Sequence, residues 1–194
     1  MIEWFINSFT DKLKVTHANT NIYQVLEGNE PLCQPSGLLV LPHFAGAATP
    51  YMDIGSKGAI IGLTLTTSQR EIYHGIMEGV CYEMLLNIRR LEDAGISIAR
   101  LKATGGGANS KIWLQMKADI IGIPVISLGS AEAGGMGSAI MASVSLGLYS
   151  DISTAAKNMV SERETYLPRV EMHKLYSKFF LKYEKLYQTV RPLI

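Results

Sequence analysis

Gly105, Gly106 and Gly107 are the one place in the 194-residue sequence where three glycines follow one another, and Ala108, Asn109 and Ser110 extend the run with short side chains. Backbone without Cβ atoms lets a bulky anion approach the main-chain amides. The alternation in Ile98-Ala99-Arg100-Leu101-Lys102-Ala103 predicts a strand ahead of the run, and Ile112, Trp113, Met116 and Ile120 at helical spacing predict a helix from Ser110 to Gly122 behind it. A strand, a glycine turn and a helix N-terminus bring free N–H groups and the positive end of a helix dipole to one point, the chemistry of a phosphate cradle. Asn109 and Ser110, at the helix start, carry side chains able to cap the helix or bond a purine edge. The same glycines would also make a tight connection that binds nothing.

Two familiar phosphate motifs can be tested by counting. A Walker A loop requires a second glycine followed by Lys and Ser or Thr, but Ser110, Lys111 and Ile112 stand there, so that motif is excluded. The dinucleotide fingerprint G-x-G-x-x-G is approximated by Gly105, Gly107 and Ser110, yet no acidic residue closes a second strand about 20 residues further on. A dinucleotide-dependent oxidoreductase domain remains an alternative on this spacing alone.

Other chemistry is thinly represented. Cys33 and Cys81 lie far apart without a C-x-x-C pattern, and His17, His43, His74 and His173 are scattered, which argues against a disulfide framework or a zinc site. Eighteen Lys and Arg against seventeen Asp and Glu give a formal charge of +1, so neither nucleic acid nor an anionic membrane is expected as a partner. No secretory leader and no membrane-spanning apolar run is evident, and a reducing cytoplasm is the expected location.

The elements that would position the glycine run read as α/β. A helix is expected over Met1 to Phe9, with Trp4 and Phe5 placed to pack, then a polar segment and a short helix from Asn21 to Glu27. Gly37 to Pro42 has the mark of a buried strand, Phe44 to Ser56 of an ordered loop, and Ala59 to Leu63 of an extended segment. Ser68 and Glu71 form a capping box for a helix running to about Glu92 and ending at Gly95, with Ile72, Ile76, Val80 and Met84 on one stripe. Pro124 to Leu128 is a further buried strand. Glu132 to Ala139 opens a helix rich in small residues, where Gly137 is expected to let another helix approach. Tyr176, Phe179, Phe180, Tyr183 and Tyr187 form a packing stripe on a C-terminal helix.

In this order the motifs resemble the C-terminal domain of the FGGY family of carbohydrate kinases, which includes xylulose, glycerol and gluconate kinases and has the actin and hexokinase type of ATPase fold. Four blocks carry the resemblance over nearly the whole length. They are Leu41 to Pro50, with its Thr49-Pro50 end; Gly58 to Glu78, which is similar to the family's C-terminal signature; Gly105 to Ala108 with Asn109, Ser110, Trp113, Gln115 and Ala118-Asp119-Ile120; and Glu132 to Ala139. Gly75 stands where the signature usually has Ala or Ser, and Ala47-Ala48 replaces a Glu-Arg pair common in xylulose kinases.

The resemblance implies the C-terminal half of an actin-like, ribonuclease H-like domain, with a mixed sheet and flanking helices and without its N-terminal hairpin. It implies an ATP-binding domain over residues 1–160 and a helical appendage over 161–194 packed on it. Gly105, Gly106 and Gly107 would face the phosphates of ATP or ADP with Mg²⁺, while Asn109 and Ser110 sit by the adenosine. Glu78 and Asp119 read as structural. The sugar and the catalytic aspartate belong to the family's other half, and a Gly-Thr-Ser-Gly phosphate loop lies ahead of the matched blocks on the missing hairpin, so no residue of this chain is expected to be catalytic or to bind a metal. The chain alone is therefore expected to be inactive, to meet sugar only together with the N-terminal domain, and to self-associate through an uncovered sheet edge. A non-catalytic nucleotide-binding module is the other reading.

Overall fold

The computed structural model describes residues 1–17, 19–28, 33–129 and 132–194. Its spine is helix α4, Gln69–Asp93, which starts where the capping box places it: Ser68 Oγ accepts from Glu71 N at 3.2 Å and Glu71 Oε2 accepts from Ser68 N at 2.7 Å. The expected single stripe understates the burial. Every residue from Tyr73 to Gly79 is buried, because α1 (Ile2–Phe9), α3 (Ile22–Glu27), α5 (Lys111–Ile121), α8 (Val170–Val190) and a strand pack around the same helix. That strand, β1 (Leu39–Leu41), pairs antiparallel with β2 (Ala59–Ile61), Val40 opposite Ile60.

Gly79 is what allows α4 to lie against β1, since a Cβ there would stand 2.4 Å from the Val40 carbonyl oxygen. Gly79→Ala is expected to lower stability by about 2 kcal/mol even though alanine favours helix by about 1 kcal/mol. Urea unfolding checks this, and a variant as stable as the parent would contradict the contact.

The second sheet is mixed. β3 (Leu101–Ala103) runs parallel to β4 (Val125–Leu128), with α5 as the crossover, and β4 pairs antiparallel with β5 (Glu162–Tyr166). The strand expected from Ile98 is confined to Leu101–Ala103. β5 was not expected, because Glu-Arg-Glu-Thr-Tyr shows no apolar alternation. It is held by its ladder and by ion pairs of Glu162 with Lys102 at 2.9 Å and Glu164 with Lys111 at 2.6 Å. The range expected to be helical from residue 161 therefore opens with a strand.

Two short helices, α2 (Asp11–Thr16) and α7 (Ile152–Met159), also went unread; Asp151 caps the latter, accepting from Thr154 N at 2.8 Å. Helix α6 (Ala133–Ser145) packs chiefly on α7. Within the described residues Gly137 takes no part in helix packing, since a Cβ there would meet nothing within 4 Å. Small residues permit a close approach without requiring one.

The aromatic stripe of α8 does form a packing face. Tyr176, Phe180, Tyr183 and Tyr187 are buried, and Tyr82 of α4 stands with its ring 5.2 Å from that of Tyr183. The loop from Phe44 to Ser56 is ordered, with His43 Nδ1 and Ser56 Oγ 2.8 Å apart and Asp53 accepting from Tyr187 and paired with Arg191.

Among the buried titratable groups, Glu78 and His74 are shifted within the range from pH 4 to 7. Burial raises the Glu78 carboxyl to about 7, although Ser36 N, Ser36 Oγ and Tyr176 Oη all donate to it. Burial beside the charge of Arg70 lowers His74 to about 4. The Glu78 contribution is complete below its ordinary value of 4.5 and is lost as pH rises through about 7. The His74 contribution is complete above 6.5 and is lost as pH falls through about 4.

The two slopes oppose each other between pH 4.5 and 6.5, where the parent is expected to change little. Glu78→Gln should expose the His74 slope, a loss of about 2–3 kcal/mol on acidification across that window. Urea unfolding at a series of pH values measures it, and a level profile in the variant would contradict the assignment. The depressed carboxyls of Asp53 and Asp151, held by hydrogen bonds, act at lower pH.

Candidate functional site

Beyond β3 the chain turns at Gly105, whose φ of 82° lies in the left-handed region that glycine adopts without strain. Gly106–Asn109 form one 3-10 turn, closed by Ala108 N donating to Gly105 O at 3.0 Å, so the glycines lead into α5 through a short coil rather than directly. Ser110 is extended and caps α5, its Oγ accepting from Trp113 N at 3.0 Å; Gly122, left-handed at φ 82°, ends the helix. Ile112, Met116 and Ile120 are buried as the periodicity requires, with Trp113 packed partly against the core.

Two of the three glycines are open and one is not. A Cβ on Gly105 or Gly106 would meet nothing within 4 Å, whereas one on Gly107 would stand 2.9 Å from the Trp113 ring. Lys117 Nζ lies 4.2 Å from the centre of that ring, and burial lowers its pKa.

Gly106, Gly107, Asn109, Ser110 and Trp113 form one wall of a cleft of about 640 Å³, within the range of small-ligand sites. Glu3 of α1 and residues of α3 and its cap, among them Tyr23 and Glu27, form the other, and Tyr73 of α4 also lines it. The cleft thus gathers four of the five residues singled out from sequence, with Gly105 adjoining.

Ser110 is more constrained than its position suggested. Its hydroxyl donates to Glu27 Oε2 at 2.8 Å while accepting from Trp113 N, so both its donor and an acceptor site are engaged. Tyr73 Oη donates to Glu27 Oε1 at 3.2 Å, and burial together with the charge of Glu27 pushes that phenol well above its ordinary range. Glu27 was not foreseen: nothing in the sequence links it to Ser110 across 83 positions.

The charge of the cleft is one-sided. Glu3 and Glu27 line it and, among the described lining residues, there is no Lys, Arg or His. A phosphate is repelled by these carboxylates, and the bare backbone of Gly105 and Gly106 leaves room for one away from them.

Asp119 and Glu78 lie outside this cleft and serve the scaffold. Asp119 is fully buried and accepts from Arg169 N at 2.7 Å, Arg169 Nη2 at 2.7 Å and Gln115 Nε2 at 3.0 Å; His173 Nδ1 donates to its main-chain oxygen at 2.8 Å. Among the described residues no group of three or more His, Cys, Asp or Glu side chains could hold a metal ion. No described helix is long and apolar enough to cross a membrane.

The architecture is that of an actin-like ATPase domain. It superposes on the xylulose kinase of Rhodospirillum rubrum with a TM-score of 0.79 at 25% identity, over 99% of this chain and 38% of that one. It superposes on the glycerol kinase of Plasmodium falciparum, solved with ADP, with a TM-score of 0.70 at 18% identity, over 95% of this chain and 36% of that one. The chain belongs to the FGGY family of carbohydrate kinases, residues 1–146 matching the family's C-terminal domain. The xylulose kinase of Staphylococcus epidermidis is 31% identical over 158 residues, 81% of this chain and 32% of that protein. The chain thus spans about a third of the length of that relative.

Proposed function

We propose that the cleft beside Gly105–Gly107 binds the adenine nucleotide of an ATP-dependent carbohydrate kinase, of which this chain forms part of the ATP side. The observation that carries this reading is the free space beside the backbone of Gly105 and Gly106 at the edge of a cleft large enough for a small ligand. In this reading the amides of Gly105, Gly106 and Gly107 receive the phosphates, and Asn109 and the capped Ser110 border the adenosine. The nucleotide supplies the γ-phosphoryl group that passes to a sugar hydroxyl. Magnesium is held through the phosphates and by groups outside this chain, as are the sugar and the base that takes its proton. The ATP-binding unit covers residues 1–160 together with β5, which completes its second sheet, and α8 packs on it; the protein works in the cytoplasm.

Titration calorimetry with ADP and NAD tests the binding. ADP is expected to bind the more tightly, and tighter NAD binding would contradict the assignment. A chimera in which this chain replaces the matching segment of the S. epidermidis xylulose kinase separates a kinase part from a non-catalytic module. Sugar-dependent ADP release in the chimera and none from the chain alone is the expected pair of results; nucleotide binding without turnover in the chimera would favour the module. The outer edge of β3 carries no ladder partner among the described residues, which supports self-association; a monomer at high concentration on size exclusion would count against it.

A further inference from the structure

We propose that Glu27 is a specificity-determining residue of the cleft, its carboxylate accepting a hydrogen bond from a ribose hydroxyl of the bound nucleotide. The proposal rests on the nucleotide reading above and adds to it the end of the ligand that each wall recognises.

Glu27 closes α3 and is held from several sides. Ser110 Oγ donates to its Oε2 at 2.8 Å, Tyr73 Oη donates to its Oε1 at 3.2 Å, and Arg70 Nη2 donates to its main-chain oxygen at 2.9 Å. A carboxylate offers about four acceptor sites, so these two side-chain bonds leave capacity on both oxygens. The group is fixed in place before any ligand arrives, which reduces the rotamer entropy lost on binding.

A carboxylate accepts and does not donate, so its ligand partner must bring an O–H or N–H, and a phosphate oxygen cannot serve. Ser110, the nearest hydroxyl, is already committed to Glu27 and to Trp113 N. Glu3 adds a second negative charge to the lining of the cleft, while the backbone at Gly105 and Gly106 has free space around it, a Cβ there meeting nothing within 4 Å. The nucleotide is therefore polarised along the cleft, nucleoside toward α3 and phosphates toward the glycine turn. A free ribose hydroxyl meets the carboxylate, and a nucleotide phosphorylated on the ribose is rejected by it.

The test uses the intact 194-residue chain titrated calorimetrically with ADP, 2′-deoxy-ADP and 3′-deoxy-ADP. The parent is expected to bind ADP about tenfold more tightly than at least one deoxy analogue, the size of a hydrogen bond to a charged group. Glu27→Gln, with its folding verified by circular dichroism, is expected to bring that ratio within about twofold while binding of the deoxy analogue changes little. Equal binding of all three nucleotides by the parent, or equal weakening of all three in Glu27→Gln, would overturn the role given to Glu27 while leaving the nucleotide site standing. Failure of the parent to bind ADP at all would overturn the nucleotide reading itself.

Discussion

Asp119→Ala is expected to lower the unfolding free energy by about 3–5 kcal/mol, a large part of the stability of a domain this size. The carboxylate has no solvent exposure and collects the main-chain amide and the guanidinium of Arg169, the latter through Nε at 3.0 Å and Nη2 at 2.7 Å. With Gln115 Nε2 donating from one turn earlier, it fastens α5 to the residue that begins α8. Truncation removes the charge that Arg169 faces and leaves Gln115 and the Arg169 amide without their acceptor. Asp119→Asn keeps the shape and one acceptor, and about half of the loss is expected. Urea unfolding followed by circular dichroism measures both, and an Ala variant within about 0.5 kcal/mol of the parent would show that the helices are joined by other means.

Gly106→Leu is expected to weaken ADP binding by about 100-fold or more, with the melting temperature nearly unchanged. The position suits the test because a Cβ there would meet nothing within 4 Å and its backbone lies outside the left-handed region. A side chain would project into open space beside the amides assigned to the phosphates. The neighbouring glycines would give a mixed answer: Gly105 has φ 82°, where any other residue strains the backbone, and a side chain on Gly107 would strike Trp113. Calorimetric titration beside a thermal melt separates the two effects. Unchanged affinity would place the phosphates elsewhere.

The parts of this fold that could be read from sequence are those set by neighbours along the chain. The capping box of Ser68 and Glu71, the end of α5 at Gly122 and the aromatic period of α8 each depend on residues a few positions apart, and each stands where it was expected. β5 was not legible because its pairing energy comes from β4 and from lysines 102 and 111, while its own residues read as charged surface. Gly137 misled for the opposite reason, since its small side supports a close helix contact that the described residues do not make.

The candidate site divides in the same way. Its glycine wall and the helix start at Ser110 were local and legible. Its acidic wall is tertiary: α3 was recognised as a helix, but only folding sets Glu27 against Ser110 and Tyr73. That contact also changes what Ser110 can do, from a candidate ligand contact to a cap held between two partners.

The central claim, that the glycine turn receives a nucleotide, is most directly tested by mapping backbone amide resonances of the isotope-labelled chain during titration with ADP. The largest shifts are expected at Gly105, Gly106 and Gly107, with smaller ones at Asn109 and across the cleft at Tyr23 and Glu27. Saturable shifts confined to other surfaces, with those amides unmoved, would contradict it.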